Sequence, residues 1–285
     1  MKAITRRAVL AAPLLAVPAL SWGAAPAPAA RLAALERESG GRLGVAALDT
    51  GTGRRIAHRA EERFPLLSTF KLLAAALVLA RVDTGDEQLD RRVRYGQQDL
   101  VEYSPATEQH VADGMTVGDI CEAALTLSDN TAGNLLLASF GGPPALTAYV
   151  RTLGDAVTRL DRTEPTLNDV EPGDARDTTT PAAMLGLMQR VLLGDALSED
   201  SRRQIAEWLI ANKTGDKRLR AGLPGGWRVG DKTGTAGGDA NDVAITWPPG
   251  RAPILIASYL AEAKAPADQR NAVHAEVARS IAAAL

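Results

Sequence analysis

Ser68 and Lys71 open the most apolar run of the chain beyond its N-terminal segment, Leu72 to Ala80. On a helix the i,i+3 spacing puts both side chains on one face, so the amine reaches the hydroxyl. A serine hydroxyl is a weak nucleophile until a neighbour takes its proton. A lysine at the head of a buried helix needs a polar partner, which argues against a merely solvated side chain. Pro65 lies three residues upstream, and the free N–H groups of a helix start can stabilise a developing oxyanion. Farther on, Glu164-Pro165-Thr166-Leu167-Asn168 sets a carboxylate beside an amide. Such a carboxylate can activate water to clear an acyl-serine ester. This chemistry is acyl transfer to serine followed by hydrolysis, with no histidine in it. His58 falls in an early strand, His110 in a polar loop and His274 on the terminal helix, and none is well placed for a triad.

Two further strings stand in register. Ser128-Asp129-Asn130 follows an apolar helix, where the same residues would also serve as turn formers. Lys-Thr-Gly occurs at Lys213-Thr214-Gly215, after a helix, and at Lys232-Thr233-Gly234, at the end of a β-run. Backbone groups that grip a substrate belong on a strand edging a cleft, which favours the second. With 10 serines and 6 lysines in the chain, Ser-x-x-Lys is expected by chance ~0.2 times, so its weight comes from the company it keeps.

The elements that must position these residues can be read from periodicity. A short helix over Arg31–Glu38 precedes β-runs at Arg42–Asp49 and Arg54–Arg59, joined by the turn 50–53. Helical patterns follow at Ser68–Val82, Thr116–Leu127, Ala132–Phe140, Pro144–Leu153, Pro181–Leu193 and Glu199–Ala211. Strand character returns at Trp227–Thr235, Val243–Trp247 and Ile254–Leu260, before a last helix over Asp268–Ala284. Strands from both ends with helices between predict an α/β fold: one antiparallel sheet flanked by terminal helices, plus an inserted all-α domain. The α/β domain is assigned to residues 30–60 and 212–285 and the all-α domain to 61–211, with the site in the cleft between them. The segment 159–177 has no period and two prolines, and long irregular stretches in compact domains are functional or disordered; Glu164 and Asn168 favour function.

The N-terminus reads as an export signal over residues 1–29. Lys2, Arg6 and Arg7 precede an apolar stretch from Ala8 to Leu20, and Thr5 to Leu10 resembles a twin-arginine signal. The expected destination is the periplasm or the outside of the cell. Removing those three from the 32 basic residues leaves 29 against 34 acids, which argues against a nucleic-acid partner. No run suggests an internal membrane span, so no stable membrane association is expected; the chain is expected to be a monomer. Cys121, the only cysteine, cannot form an intramolecular disulfide and reads as inert core. No cluster of His, Cys and acidic residues has ligand spacing, so no metal or other cofactor is implied.

Ser68-x-x-Lys71, Ser128-Asp129-Asn130, Glu164-x-x-x-Asn168 and Lys232-Thr233-Gly234, in that order, closely resemble a class A serine β-lactamase from about residue 30 onward. The resemblance implies the serine β-lactamase/D,D-peptidase fold and hydrolysis of the β-lactam ring of antibiotics through a serine acyl-enzyme. It implies Ser68 as nucleophile, aided by Lys71 and by Glu164 through water, with Ser128 protonating the leaving nitrogen. Glu164, with Asn168, then activates the deacylating water. Tyr103 matches a wall of the cleft and Asn130 the contact to the substrate's side-chain amide. Lys232, Thr233 and Thr235 match the group that binds the substrate carboxylate, and the Thr235 N–H would complete the oxyanion hole with that of Ser68. Relatives place an arginine near that carboxylate; Arg218 matches one of its two placements and Arg220 is a rival. Arg162 and Asp177 match an ion pair at the neck of the Ω-loop. Two competing readings share the other motifs: a penicillin-binding D,D-peptidase, which lacks the Glu164 loop, and a non-catalytic β-lactam sensor, which stays acylated. Leu67 and Ala236 exclude the cysteine pair of one carbapenem-hydrolysing subgroup.

Overall fold

A computed structural model describes residues 28–169 and 171–285; the export signal expected over 1–29 lies almost wholly outside them. Helix α1 (Pro28–Ser39) precedes β1 (Arg42–Asp49) and β2 (Arg55–His58). The turn between the strands is held by Asp49, whose Oδ1 accepts from the amides of Gly51 and Thr52 at 2.9 and 3.2 Å. Two-residue strand β3 (Phe64–Pro65) leads through a 3-10 turn, Leu67–Thr69, into α2 (Phe70–Asp83). Strands β4 (Arg92–Val93) and β5 (Met115–Thr116) bracket a long loop, and α3 (Val117–Thr126), α4 (Asn130–Phe140) and α5 (Gly142–Thr152) follow. Beyond the irregular segment come β6 (Thr178–Thr179), α6 (Pro181–Leu192), α7 (Glu199–Ile210) and the single turn α8 (Leu219–Gly222). Strands β7 (Arg228–Ala236), β8 (Asp239–Trp247) and β9 (Ile254–Ala261) precede α9 (Ala267–Ala284).

Five strands form one sheet in the order β2-β1-β9-β8-β7, every pair antiparallel. Alternation along β1 splits the interior in two. Leu43, Val45 and Ala47 pack with Leu32 and Leu35 of α1 and Val277 and Ile281 of α9. Ala46 and Leu48 face the other way, into the larger core built by α2, α3, α4 and α6. One face of the sheet therefore carries the terminal helices and the other the helical region. Helix starts are set by side-chain caps: Thr116 Oγ1 accepts from the Asp119 amide at 3.1 Å and Asp129 Oδ1 from the Ala132 amide at 2.8 Å, each worth ~1 kcal/mol.

Three features differ from the sequence reading. β8 begins at Asp239, four residues before the expected β-run. Between the helix expected to end at Ala211 and the β-run expected from Trp227, where no element was assigned, lies a helical turn, Leu219–Gly222. The pairs β3–β6 and β4–β5 were not anticipated, because two-residue strands carry no period. The β3–β6 pair matters to the site: it binds the exit of the irregular segment to the approach to Ser68.

Candidate active site

Ser68 sits in the 3-10 turn that opens α2, one residue after Leu67, whose φ is +46°. A non-glycine residue there stores strain that its surroundings must hold, and Leu67 is fully buried. Lys71 is fully buried too, and its Nζ is the hub of the site. It lies 2.9 Å from Ser68 Oγ, 2.9 Å from Glu164 Oε1, 2.9 Å from the Ser128 carbonyl and 2.7 Å from Asn130 Oδ1. Burial pushes the Lys71 ammonium below its ordinary value, against the pull of Glu164 and then Asp129. A lysine so placed can exist as the amine that accepts a proton.

Glu164 is 2% exposed, and its Oε1 accepts directly from Ser68 Oγ at 3.2 Å. Both candidate bases named from the sequence, Lys71 and Glu164, thus touch the serine hydroxyl. Asn168 Nδ2 donates to Glu164 Oε2 at 2.7 Å, so the other carboxylate oxygen is left facing the serine. The Glu164–Pro165 peptide is cis. At the neck of the loop Arg162 Nε donates to Asp177 Oδ2 at 2.6 Å, and Asp177 Oδ1 accepts from the amides of Asp161 and Arg162. Asn134 went unnoticed in the sequence. Its amide group binds both the N–H and the C=O of Glu164 at 2.9 Å. The available signal was a second asparagine one helical turn after Asn130.

Ser128, at φ +60°, stands between the two lysines. Lys232 Nζ donates to its Oγ at 2.9 Å and to the Thr233 carbonyl at 2.8 Å. Burial holds the Lys232 ammonium well below its ordinary value, and the charge of Lys71 adds to the effect. Asp129 braces the adjoining loop, accepting from the amides of Ala106 and Thr107 at 2.9 Å each. Asn130 Nδ2 donates to the Glu102 carbonyl at 2.9 Å, and Tyr103, at φ +64° and 57% exposed, projects beside it.

Strand β7 forms the opposite wall. Gly234 is required there, because a Cβ would come within 2.9 Å of Leu67 Cβ and 3.2 Å of the Ser68 amide nitrogen. Thr233 is nearly buried and Thr235 exposed. The two arginines left open by the sequence part company here. Arg218 Nη2 donates to Thr235 Oγ1 at 2.6 Å and lines the cleft, whereas Arg220 turns away to pair with buried Asp231. The first Lys-Thr-Gly triplet, passed over in favour of the second, contributes one group. Thr214 Oγ1 meets Thr233 Oγ1 at 2.5 Å, while Lys213 stays exposed. A cleft of about 590 Å³ is lined by Ser68, Tyr103, Asn130, Asn168, Arg218 and Thr235, among others. All eleven candidate side chains are therefore brought to this cleft or to groups that line it. Among the described residues no cluster of His, Cys and acidic groups could hold a metal, and no helix is long and apolar enough to cross a membrane.

A buried lysine bridging a serine and a carboxylate, on a helix facing an antiparallel sheet, defines a serine acyl-transfer enzyme. The chain matches the family described as "Beta-lactamase enzyme family" over residues 27–285, and it belongs to that family. It is a class A enzyme: it is similar to β-lactamase AST-1 of Nocardia asteroides, 53% identical over 90% of this chain and 83% of that one. β-Lactamase L2 of Stenotrophomonas maltophilia is 51% identical over 95% of this chain and 92% of its own. An ancestral class A β-lactamase structure superposes with a TM-score of 0.89 at 66% identity, covering 90% of this chain and 100% of that chain. Its reaction is the hydrolysis of the β-lactam ring of antibiotics through a serine acyl-enzyme, which confers resistance.

Proposed function

We propose that Ser68 is the nucleophile of this reaction and that Lys71 and Glu164 share the task of taking its proton. The observation that carries this reading is the Lys71 Nζ hub, which contacts the serine hydroxyl and the carboxylate at once. Ser128, fed by Lys232, then returns a proton to the departing lactam nitrogen. The amides of Ser68 and Thr235 form the oxyanion hole, a role supported by the close approach that Gly234 allows. Arg218, Lys232, Thr233 and Thr235 receive the substrate carboxylate; Tyr103 and Asn130 flank its side chain. Glu164, with Asn168, activates the water that clears the ester. In this reading residues 30–60 and 212–285 form one domain and 61–211 the other. The enzyme works as a monomer after export by the twin-arginine route, a reading supported by Arg6 and Arg7 ahead of an apolar stretch.

Intact-protein mass against time, with a good penicillin, tests the central assignments. Ser68→Ala should bind substrate and gain no mass. Glu164→Gln should accumulate the covalent ester to stoichiometry while turnover falls about 10²–10⁴-fold. A Glu164→Gln enzyme turning over at the native rate would remove Glu164 from the mechanism and reopen the D,D-peptidase reading.

A further inference from the structure

Behind the carboxylate-binding strand lies a cluster of charged groups that the reaction does not touch. Register pairs Asp231 with Ala244 and Thr233 with Asp242, so Asp231, Thr233 and Asp242 share one face of the sheet. The segment 218–222 covers that face. Two arginines and two fully buried carboxylates meet there, and simple pairing would join each arginine to an acid.

The structure does something else. Arg220 pairs with Asp231, whose second oxygen accepts from Asn212 Nδ2 at 2.6 Å. Among the described residues Arg218 makes no ion pair. Its Nε donates to Asn271 Oδ1 at 2.8 Å, its Nη1 to the carbonyls of Gly234 and Asn241 at 2.8 and 2.7 Å, and its Nη2 to Thr235 Oγ1. All four acceptors are neutral. Asp242 meanwhile binds no cation among the described residues. Its Oδ2 accepts from the Leu219 amide at 3.0 Å, and its Oδ1 has no hydrogen-bond partner although it is buried.

A carboxylate ion left in that position would have one amide to replace its whole hydration shell, which is very unfavourable; a neutral carboxyl group is not. The charges it feels are those of Asp231, Arg218 and Arg220. Burial raises both carboxyls, but Asp231 has the arginine and the Asn212 amide to hold its charge, and Asp242 has neither. Burial and the Asp231 charge both hold the Asp242 carboxyl well above the usual range. His274 of α9 stays neutral as well, and its nearness to Arg218 adds no counter-charge.

We propose that Asp242 is a positioning residue held as the neutral acid: it fixes the Arg218 segment through the Leu219 amide without cancelling the guanidinium charge. Arg218 is thereby the one cation of this cluster left uncompensated beside the cleft, and its charge is kept for an anionic group of the substrate. The inference rests on the reading of Arg218 as a carboxylate-binding group. An ionised Asp242 would act against it, lowering affinity for carboxylate-bearing β-lactams.

The charge state can be read without turnover. The infrared difference spectrum of native enzyme minus Asp242→Asn, at neutral pH, should show a protonated-carboxyl C=O stretch. Carboxylate bands alone would overturn the proposal. In kinetics, Asp242→Ala removes the acceptor of the Leu219 amide and should raise KM for carboxylate-bearing substrates about five- to tenfold, with little change in kcat. Asp242→Asn, which mimics the neutral acid, should rescue KM to within about threefold of native. Equal damage by Asn and Ala would show that the ionised form is needed and would overturn the proposal. Arg218→Ala separates the two readings. If it leaves KM for carboxylate-bearing substrates unchanged, the assignment of Arg218 fails, while the infrared result still decides the state of Asp242.

Discussion

Ser128 Oγ lies 2.9 Å from Lys232 Nζ, and the carbonyl of the same serine lies 2.9 Å from Lys71 Nζ. One residue thus ties together two buried ammonium groups whose charges repel and which burial already disfavours. Lys71 meets Ser128 only at its carbonyl, which accepts but relays no proton, so the Ser128 hydroxyl is held by Lys232 alone.

That relationship separates the two Lys-Thr-Gly triplets. Lys232→Ala removes a charge-assisted hydrogen bond of roughly 1.5–3 kcal/mol, so kcat/KM should fall on the order of ten- to a hundredfold. Lys213→Ala, at an exposed side chain, should be nearly silent. Steady-state kinetics of the two variants decides it, and a larger loss for Lys213→Ala would mean that the wrong strand has been chosen.

The arginines should divide binding from stability. Arg218→Ala should raise KM for β-lactams that carry the carboxylate and leave their methyl esters unaffected. Arg220→Ala should leave substrate affinity nearly unchanged but strand Asp231, which is fully buried. Removing one partner of a buried pair costs about 3–5 kcal/mol, and a denaturant titration would register it. Comparable KM effects from both changes would contradict the division.

Acid should weaken the fold before it touches most carboxylates. His274 is fully buried between Ser258 Oγ and the Ala240 carbonyl, and burial lowers its pKa to about 3. Its Nε2–H donates to the carbonyl, so Nδ1 accepts from the serine. The unfolded chain takes up a proton below about pH 6.5 where the folded one does not, so stability declines as pH falls from there toward about 3. The loss by about pH 5 should be about 2 kcal/mol. Denaturant midpoints between those values, compared with His274→Gln, test it; a native profile as flat as the variant's would exclude the effect.

The motif residues were legible because each string carries its own chemistry and its own local element. Ser68 and Lys71 need only one helical turn to meet, and Glu164 with Asn168 only a 3-10 turn, Thr166–Asn168. What the sequence left open depended on contacts between distant segments. Arg218 and Arg220 are two residues apart on the same short stretch, and nothing local says which faces the cleft. The Leu219 amide decides it by binding Asp242, 23 residues away in sequence. Asn134 and Thr214 escaped notice for the same reason, since their partners, Glu164 and Thr233, lie on other elements. The main strands and helices announced themselves by period; the short pairs β3–β6 and β4–β5 did not, being set by what they lie against.

The sheet order has a bearing on how the molecule comes to be. β9, the last strand to be synthesised, is the one that sits in the middle, between β1 and β8. Until it emerges, β1 has only β2 beside it, and the β7–β8 hairpin cannot join the N-terminal strands at all. The wall that carries Lys232 and Arg218 is therefore assembled late, by pairings such as Val45 with Ser258 that span most of the chain. Long-range pairing of this kind is slow and leaves strand edges open while it waits. A ribosome-bound chain lacking its final segment already holds the side chains of both walls but cannot join the β7 wall to the N-terminal strands.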